Sequence, residues 1–220
     1  MVDPASFDRF AVEYDRFVEL EGNTGWLVGL GLRGERALDA GCGAGQAAVR
    51  LAEGFDEVVG VDLSAPMIEL ARRKRARSNV EYRVADVFAI EDGGFDLVYS
   101  HTMMHHLPDY RAGLEHLKSL VRAGGTVAIV DNVSDRWPTP PRWVYLLGAW
   151  LGFPRQLARR GIRDAWFEFR FWHSRPWLEH LASDRYLSRS QFREVYDDVF
   201  PGAQYTDVGF ALAMRWTAAG

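Results

Sequence analysis

Short apolar runs, each closed by a polar residue, recur along the first 135 residues, and helical patterns fill the intervals between them. "ERALDA" (35–40) runs into three glycines, and "EVVGVDLS" (57–64) reads as a second buried strand whose carboxylate is Asp62. "VEYRVAD" (80–86), "FDLVYS" (95–100) and "GTVAIVD" (125–131) continue the series. Between them, "GQAAVRLAEGF" places Ala48, Leu51, Ala52 and Phe55 on one helical face. "APMIELARRKRA" predicts a helix entered beside Pro66, a residue tolerated in a first turn. A further helix is expected around Tyr110 to Val121. Near-continuous apolar strands alternating with helices predict a parallel sheet covered on both faces.

The C-terminal end breaks this rhythm. "YLSRSQFREVYDDVF" predicts a helix started by Ser188 or Ser190. "AQYTDVGF" and "ALAMRWTA" are then strands with almost no connection, so they should be antiparallel neighbours. The expected fold is α/β: seven strands, mostly parallel with an antiparallel last strand, and helices on both faces. An aromatic-rich insertion, about 133–186, follows the fifth strand and holds six of the eight tryptophans. "PTPPRWVYLLGAWLG" reads as a helix entered through prolines, while "WFEFRF" alternates as a strand would but is too short to assign. These rings are expected to build the insertion's own core or a homodimer contact, with some lining an apolar pocket. At the other end, Phe7, Phe10, Tyr14 and Phe17 fall at helical spacing, a docking face within an N-terminal segment of about 1–30.

Composition narrows the classes. The 220 residues, 48% hydrophobic and 25% charged, suit a single domain able to bury a substantial core. The net charge of −4 argues against a general nucleic-acid surface. The one dense basic run, "RRKRAR" (72–77), falls where a helix ends and cations complement its dipole. Cys42 is the sole cysteine, so no intramolecular disulfide can form and a reducing cytoplasm is expected. No apolar run approaches a membrane span, and "MVDPASFDRF" lacks signal-peptide character.

The chemistry gathers at strand ends. Asp39, Asp62, Asp86, Ser100 with His101, and Asp131 close the five parallel-type strands. In open parallel sheets, ligands lie at those carboxyl ends. Acids converging there suit a ligand with hydroxyls, an amine or positive charge, and suit polyphosphate poorly. In "ALDAGCGAGQ", Asp39 precedes Gly41, Gly43 and Gly45, and repeated glycine implies either a turn needing positive φ or a close ligand approach. A glycine-rich turn into a helix also offers backbone N–H groups to an anionic group. Asp62, 17 residues past Gly45, can accept both hydroxyls of a ribose, as it could in a nicotinamide oxidoreductase.

"LDAGCGAGQ", "VVGVDLSAPMIELAR", "VEYRVADV", "FDLVYSHTMMHHLPD", "LVRAGGTVAIVD" and the final hairpin, in this order, resemble the class I S-adenosylmethionine-dependent methyltransferases. Within that class the chain is similar to the small-molecule group called methyltransferase type 11, or UbiE-like. The resemblance implies a Rossmann-like sheet and S-adenosylmethionine as methyl donor. It would bring the loop from Gly41 through Cys42 and Gly43 to Gly45 against the methionine moiety, with Asp39 reaching the amino group through water. Asp62 would hold the ribose, Leu63 and Met67 would pack on the adenine, and Asp86 with the Val87 amide would meet its edge. Ser100 would lie beside the methionine amine through its carbonyl. "RAGG" (122–125) departs from the proline common before those glycines.

The expected activity is methyl transfer to an O, N or C atom of an apolar or aromatic small molecule, as in secondary metabolism. "SHTMMHHLPD" supplies the candidate bases: His105 first, then His101, with His106 beside them. In the related small-molecule enzymes an N-terminal segment closes over the donor, which makes Tyr14 a candidate lid residue touching donor or acceptor. His116 and His180 sit in helical patterns without functional signal, and no Cys/His spacing supports a metal site. Three alternatives remain open: an RNA or protein methyltransferase, a fold that keeps the donor for a non-methylating reaction such as cyclisation, and the nicotinamide oxidoreductase.

Overall fold

The computed structural model describes residues 4–22 and 24–220, with side chains from residue 7 onward, so residues 1–3 and 23 of the N-terminal segment lie outside the described residues. The described residues form a seven-stranded sheet built from β1 (Gly34–Ala40), β2 (Phe55–Asp62), β3 (Val80–Val84), β4 (Phe95–His101), β5 (Val121–Asn132), β6 (Gln204–Asp207) and β7 (Ala211–Thr217). The strand order is β3-β2-β1-β4-β5-β7-β6. β1 to β5 pair in parallel, while β7 runs antiparallel to both β5 and β6, as the short connection demanded. The order reverses at β1, so the tips of β1, β2 and β4 flank the crevice where a parallel sheet receives a ligand.

Alternation within each strand sends side chains to two cores. Leu38, Val59, Val61, Val98, Val127 and Ile129 face one side, under α5 (Tyr110–Leu120) and α9 (Arg189–Val199). Ala37, Val58, Leu97, Tyr99, Ala128 and Val130 face the other, under α3 (Gln46–Leu51) and α4 (Ala65–Lys74). Ser188 starts α9 with a complete capping box: its hydroxyl accepts from the Gln191 amide while the Gln191 side chain takes the Ser188 N–H.

Two expectations need correction, and one unassigned stretch takes a definite form. Phe55 opens β2 instead of ending a helix, because α3 stops at Leu51. β5 begins at Val121, and its pairing with β4 shifts register between Phe95 and Leu97 to absorb the "RAGG" turn. "WFEFRF" lies within the helix α7 (Ile162–Trp172), not a strand. Packing overrides local alternation here: Phe171 joins a buried cluster while Trp166 remains exposed.

The insertion carries α6 (Arg142–Arg160), α7 and α8 (Arg175–Leu181). It meets the N-terminal helix α1 (Ala11–Glu21), which a 3₁₀ turn over Pro4–Arg9 precedes, whereas α2 (Gly25–Gly29) sets Leu27 into the second core. The predicted docking stripe is real packing: Phe7, Phe10, Tyr14 and Phe17 gather with Phe171, Trp177 and Leu181. Phe17 stacks on Phe171 at 4.9 Å between ring centroids.

A second fastening holds α1 across the glycine loop. Asp15, 1% exposed, accepts from Gln46 Nε2 at 2.7 Å and pairs with Arg75 at 2.8 Å and with Lys74. Arg75 also donates to the Ala44 carbonyl at 2.9 Å. Removing one partner of a buried ion pair strands the other without compensation. Asp15→Ala should therefore lose about 3–5 kcal/mol of stability, read as a lower urea midpoint with an unchanged slope; a shift within error would mean that the clasp contributes nothing.

Candidate active site

The strand tips open into one cleft, lined among others by Asp39, Gly41, Cys42, Gly43, Asp62, Leu63, Met67, Asp86 and Val87. Its far wall is Phe7, Tyr14, His101, Thr102, Met103, His106 and Leu107. Of the residues predicted for the site, Gly45, Ser100 and His105 do not line it.

The three loop glycines, all at positive φ, answer to different constraints. A Cβ on Gly45 would stand 2.5 Å from the Tyr82 hydroxyl, and one on Gly41 would strike Met103, so both glycines are required by packing. A Cβ on Gly43 would meet nothing within 4 Å. Gly43 thus combines left-handed backbone with open space beside it, the arrangement needed for close ligand approach. The loop does not present an array of free amides. Gly41 and Cys42 both donate to the Val61 carbonyl at 2.9 Å, Gly45 to Cys42, and Gly43 to Asp62 Oδ2 at 2.8 Å.

That last bond orients the central acid. Asp62 takes the Gly43 amide on one oxygen and the Ser64 amide, at 2.9 Å, on the other. Each oxygen keeps a further lone pair, so the carboxylate can accept two more hydroxyl donors. Burial pushes its pKa up, against the pull of the two amides. Asp39 is more extreme: burial lifts its pKa to about 7, helped by the charge of Asp62, and its Oδ2 has no hydrogen-bond partner. A buried carboxylate oxygen without a donor is expensive. Here it faces a cleft able to bring one.

At the third strand tip, Asp86 caps the following turn through the Phe88 amide at 3.0 Å and is otherwise exposed. Val87 is buried beside it, its carbonyl 2.8 Å from His116 Nε2. Met67 is buried and Leu63 half exposed. The Cys42 thiol is raised well above its ordinary range by burial and by Asp39 and Asp62, which leaves it protonated and unreactive.

The candidate bases separate. His101 closes β4 in the cleft wall, and burial lowers its pKa to about 4, so its imidazole stands neutral at physiological pH. Burial also raises the Tyr14 phenol to about 12, with the Thr102 hydroxyl as a partner. His105, the first choice from sequence, lies behind the wall, with Nδ1 2.5 Å from Asp131 Oδ1. Burial depresses its pKa, but the charge and hydrogen bond of Asp131 and the charge of Asp184 outweigh this and raise it. Ser100 is buried within the sheet between β1 and β5, its hydroxyl unpaired.

Sequence reasoning missed two features. Thr102 is the non-glycine residue at positive φ, +54°, among the described residues, and no local pattern announces it. His180, set aside as an ordinary helical residue, is buried with His105, His106 and Asp184. Only the path of the insertion brings Asp184 to His106, 78 positions earlier.

Comparison with known proteins agrees with this geometry. Residues 38–129 match the family described as a methyltransferase domain. An uncharacterized methyltransferase of Mycobacterium tuberculosis is 36% identical over 116 residues, covering 52% of this chain and 57% of that protein. The malonyl-[acyl-carrier protein] O-methyltransferase of Pseudescherichia vulneris is 34% identical over 140 residues, covering 61% of this chain and 55% of that one. The chain thus spans little more than half the length of these curated relatives. The DhpI–SAH complex superposes with a TM-score of 0.66 at 22% identity, over 99% of this chain and 96% of that one, a likeness of fold. By its strand-tip motifs, its sheet topology and the match over 38–129, the chain is similar to the class I S-adenosylmethionine-dependent methyltransferases of the type 11 group.

Proposed function

We propose that this chain transfers a methyl group from S-adenosylmethionine to an oxygen atom of an apolar small molecule. The observation that carries the reading is the pairing of Asp39, with its unpartnered oxygen, and Asp62, with two spare lone pairs, across the open face of Gly43. An ammonium suits the first, a ribose diol suits the second, and the donor's amino-acid tail and sugar present both. Asp86 and Val87 would meet the adenine edge, and Met67 with Leu63 its faces. Bound there, the donor supplies a sulfonium-activated methyl group.

The chain's own residues then position, exclude water and take up a proton. The wall opposite the loop is largely apolar and aromatic, and holding two reactants aligned in such a site contributes about 7–11 kcal/mol at best. We assign residues 1–30 as a lid: through Phe7 and Tyr14 it supplies part of that wall, and the Asp15 clasp holds it down. His101, neutral and facing the cleft, accepts the acceptor's hydroxyl proton. A relative named for O-methylation supports oxygen as the accepting atom, and one named for N-methylation of phosphoethanolamine makes nitrogen the second reading.

Two measurements test this reading. Calorimetry with S-adenosylhomocysteine should show binding that Asp62→Ala weakens about 10- to 100-fold, as expected for losing hydrogen bonds to a charged group. Turnover with a panel of hydroxylated apolar compounds should yield products heavier by one methylene. Unchanged affinity in the variant, or no binding by the intact chain, would remove the reading.

A pH-linked measurement isolates Asp39. With its carboxyl raised to about 7 in the folded chain, Asp39 is largely protonated below that pH and ionises when an ammonium arrives. Binding at pH 6 should therefore release up to about one proton, seen as a dependence of the binding heat on buffer ionisation enthalpy. Asp39→Asn should abolish the release; proton release of equal size in the variant would place the ammonium elsewhere.

A further inference from the structure

Behind the cleft wall, two buried carboxylates and three imidazoles meet without a lysine or arginine. Asp131 and Asp184 are 0% and 1% exposed, and among the described residues their ion pairs are with histidines alone. Elsewhere in this chain a buried acid has strong cations: Asp15 has both Lys74 and Arg75. Two carboxylates out of water call for compensating positive charge.

The geometry points to a binding site for one divalent first-row transition-metal ion, with zinc the best fit, held by His105 Nε2, His106 Nδ1 and the Asp184 carboxylate. These ligand atoms lie within 4.8 Å of one another. His106 Nδ1 and Asp184 Oδ1 are 3.5 Å apart, and both are buried with no hydrogen-bond partner. That separation is too long for a good hydrogen bond. Two ligands about 2.0–2.1 Å from a shared tetrahedral zinc ion stand about 3.3–3.4 Å apart. His105 Nε2 is 3.9 Å from Asp184 Oδ2, about half an ångström beyond that spacing, so the side chains would draw together around the ion on binding.

The surroundings resemble those that orient metal ligands. With its Nδ1–H given to Asp131, a His105 that releases its other proton on binding the ion directs an Nε2 lone pair to the Asp184 side. A carboxylate behind a ligating imidazole fixes the tautomer and raises its basicity. Tyr186 donates its hydroxyl to Asp184 Oδ2 at 2.7 Å, orienting the third ligand in the same manner. His180, 3.8 Å from Asp184 Oδ1, and the Phe7 ring, 4.4 Å from the His180 ring, close the site from the N-terminal side. Two imidazole nitrogens and one carboxylate suit zinc and its neighbours, whereas calcium and magnesium prefer oxygen donors throughout. Three protein ligands leave a fourth position for water or an acceptor oxygen. His106 also belongs to the cleft wall, so an ion here would stand beside the reaction space.

The proposal is independent of the donor reading, because Asp39 and Asp62 take no part in it. Its test is equilibrium dialysis of the chelator-stripped full chain against Zn²⁺, with bound metal counted by mass spectrometry. About one ion per chain is expected from three ligands of this type. Asp184→Asn and His106→Gln should abolish this binding, and Asp131→Asn should weaken it about 10- to 100-fold. His173→Gln, outside the cluster, should bind as the parent does. Should the buried variants fail to fold, the parent chain alone decides: Zn²⁺ should raise its melting temperature and a chelator should lower it. Substoichiometric binding by the parent, equal binding by parent and cluster variants, or a melting temperature indifferent to Zn²⁺ would overturn the proposal. S-adenosylhomocysteine binding measured on the same samples reports separately on the donor site.

Discussion

The constraint that organises this molecule is the burial of carboxylates. A parallel sheet covered on both faces leaves its strand tips and the loops above them as the place where polar groups can be buried yet addressed. Asp15, Asp39, Asp131 and Asp184 are each no more than 1% exposed, and each must find donors inside the fold. They find them to different degrees. Asp15 receives an amide and two cations and is a structural clasp. Asp39 has a free oxygen, and Asp184 another, and among the described residues neither pairs with a lysine or arginine. Equal burial with unequal satisfaction is what distinguishes an acid that holds the fold together from one waiting for a ligand.

The N-terminal helices and the insertion belong to the same problem. α1 and the insertion leave the sheet's two cores to α3, α4, α5 and α9, with Leu27 of α2 joining the second. They bury aromatic rings against each other instead, Phe10 and Phe17 against Phe171 and Trp177, and so roof the strand tips. α6 contributes no buried residue and leaves Trp143, Leu147, Trp150 and Leu151 exposed along one stripe. α6 packs chiefly on α7, while Tyr145 reaches the cluster of Phe10 and Trp177 and Arg160 pairs with Glu21 of α1.

How much of this was legible in the sequence follows the range of the signal. The strands could be read because apolar runs ending in acids are local, as is the Ser188 cap, and the hairpin betrays its antiparallel sense by its short connection; their order across the sheet could not. Asp39, Asp62 and Gly43 were legible for the same reason: strand, turn and carboxylate are neighbours in the chain. What failed was long-range. "WFEFRF" alternates like a strand, yet its neighbours in space are the rings of α1 and α6, and they fix it as a helix. His105 looked like a base because it follows β4 so closely, but it is Asp131 on the next strand that turns its ring away from the cleft. His180 and Asp184 acquire meaning only from the fold of the insertion, which no spacing rule encodes.

The segment from His101 to His106 joins these strands of the argument. His101 and Thr102 face the cleft, His105 faces the buried acids, and His106 touches both. Within six residues the chain must therefore direct imidazoles to two compartments, which neither a continued strand nor an immediate helix would do. Thr102 makes the division, at φ +54° with its amide held to the Val130 carbonyl at 2.7 Å. A β-branched residue in that region costs about 1–3 kcal/mol and persists only where its surroundings over-determine it. The β5 carbonyl and the Tyr14 phenol provide that restraint. A glycine would relieve the strain but would also free the turn, and with it the register of three histidines relative to the sheet. The strain at Thr102 is thus explained by what it separates: a cleft suited to an acceptor on one side, and a buried cluster of acids and imidazoles on the other.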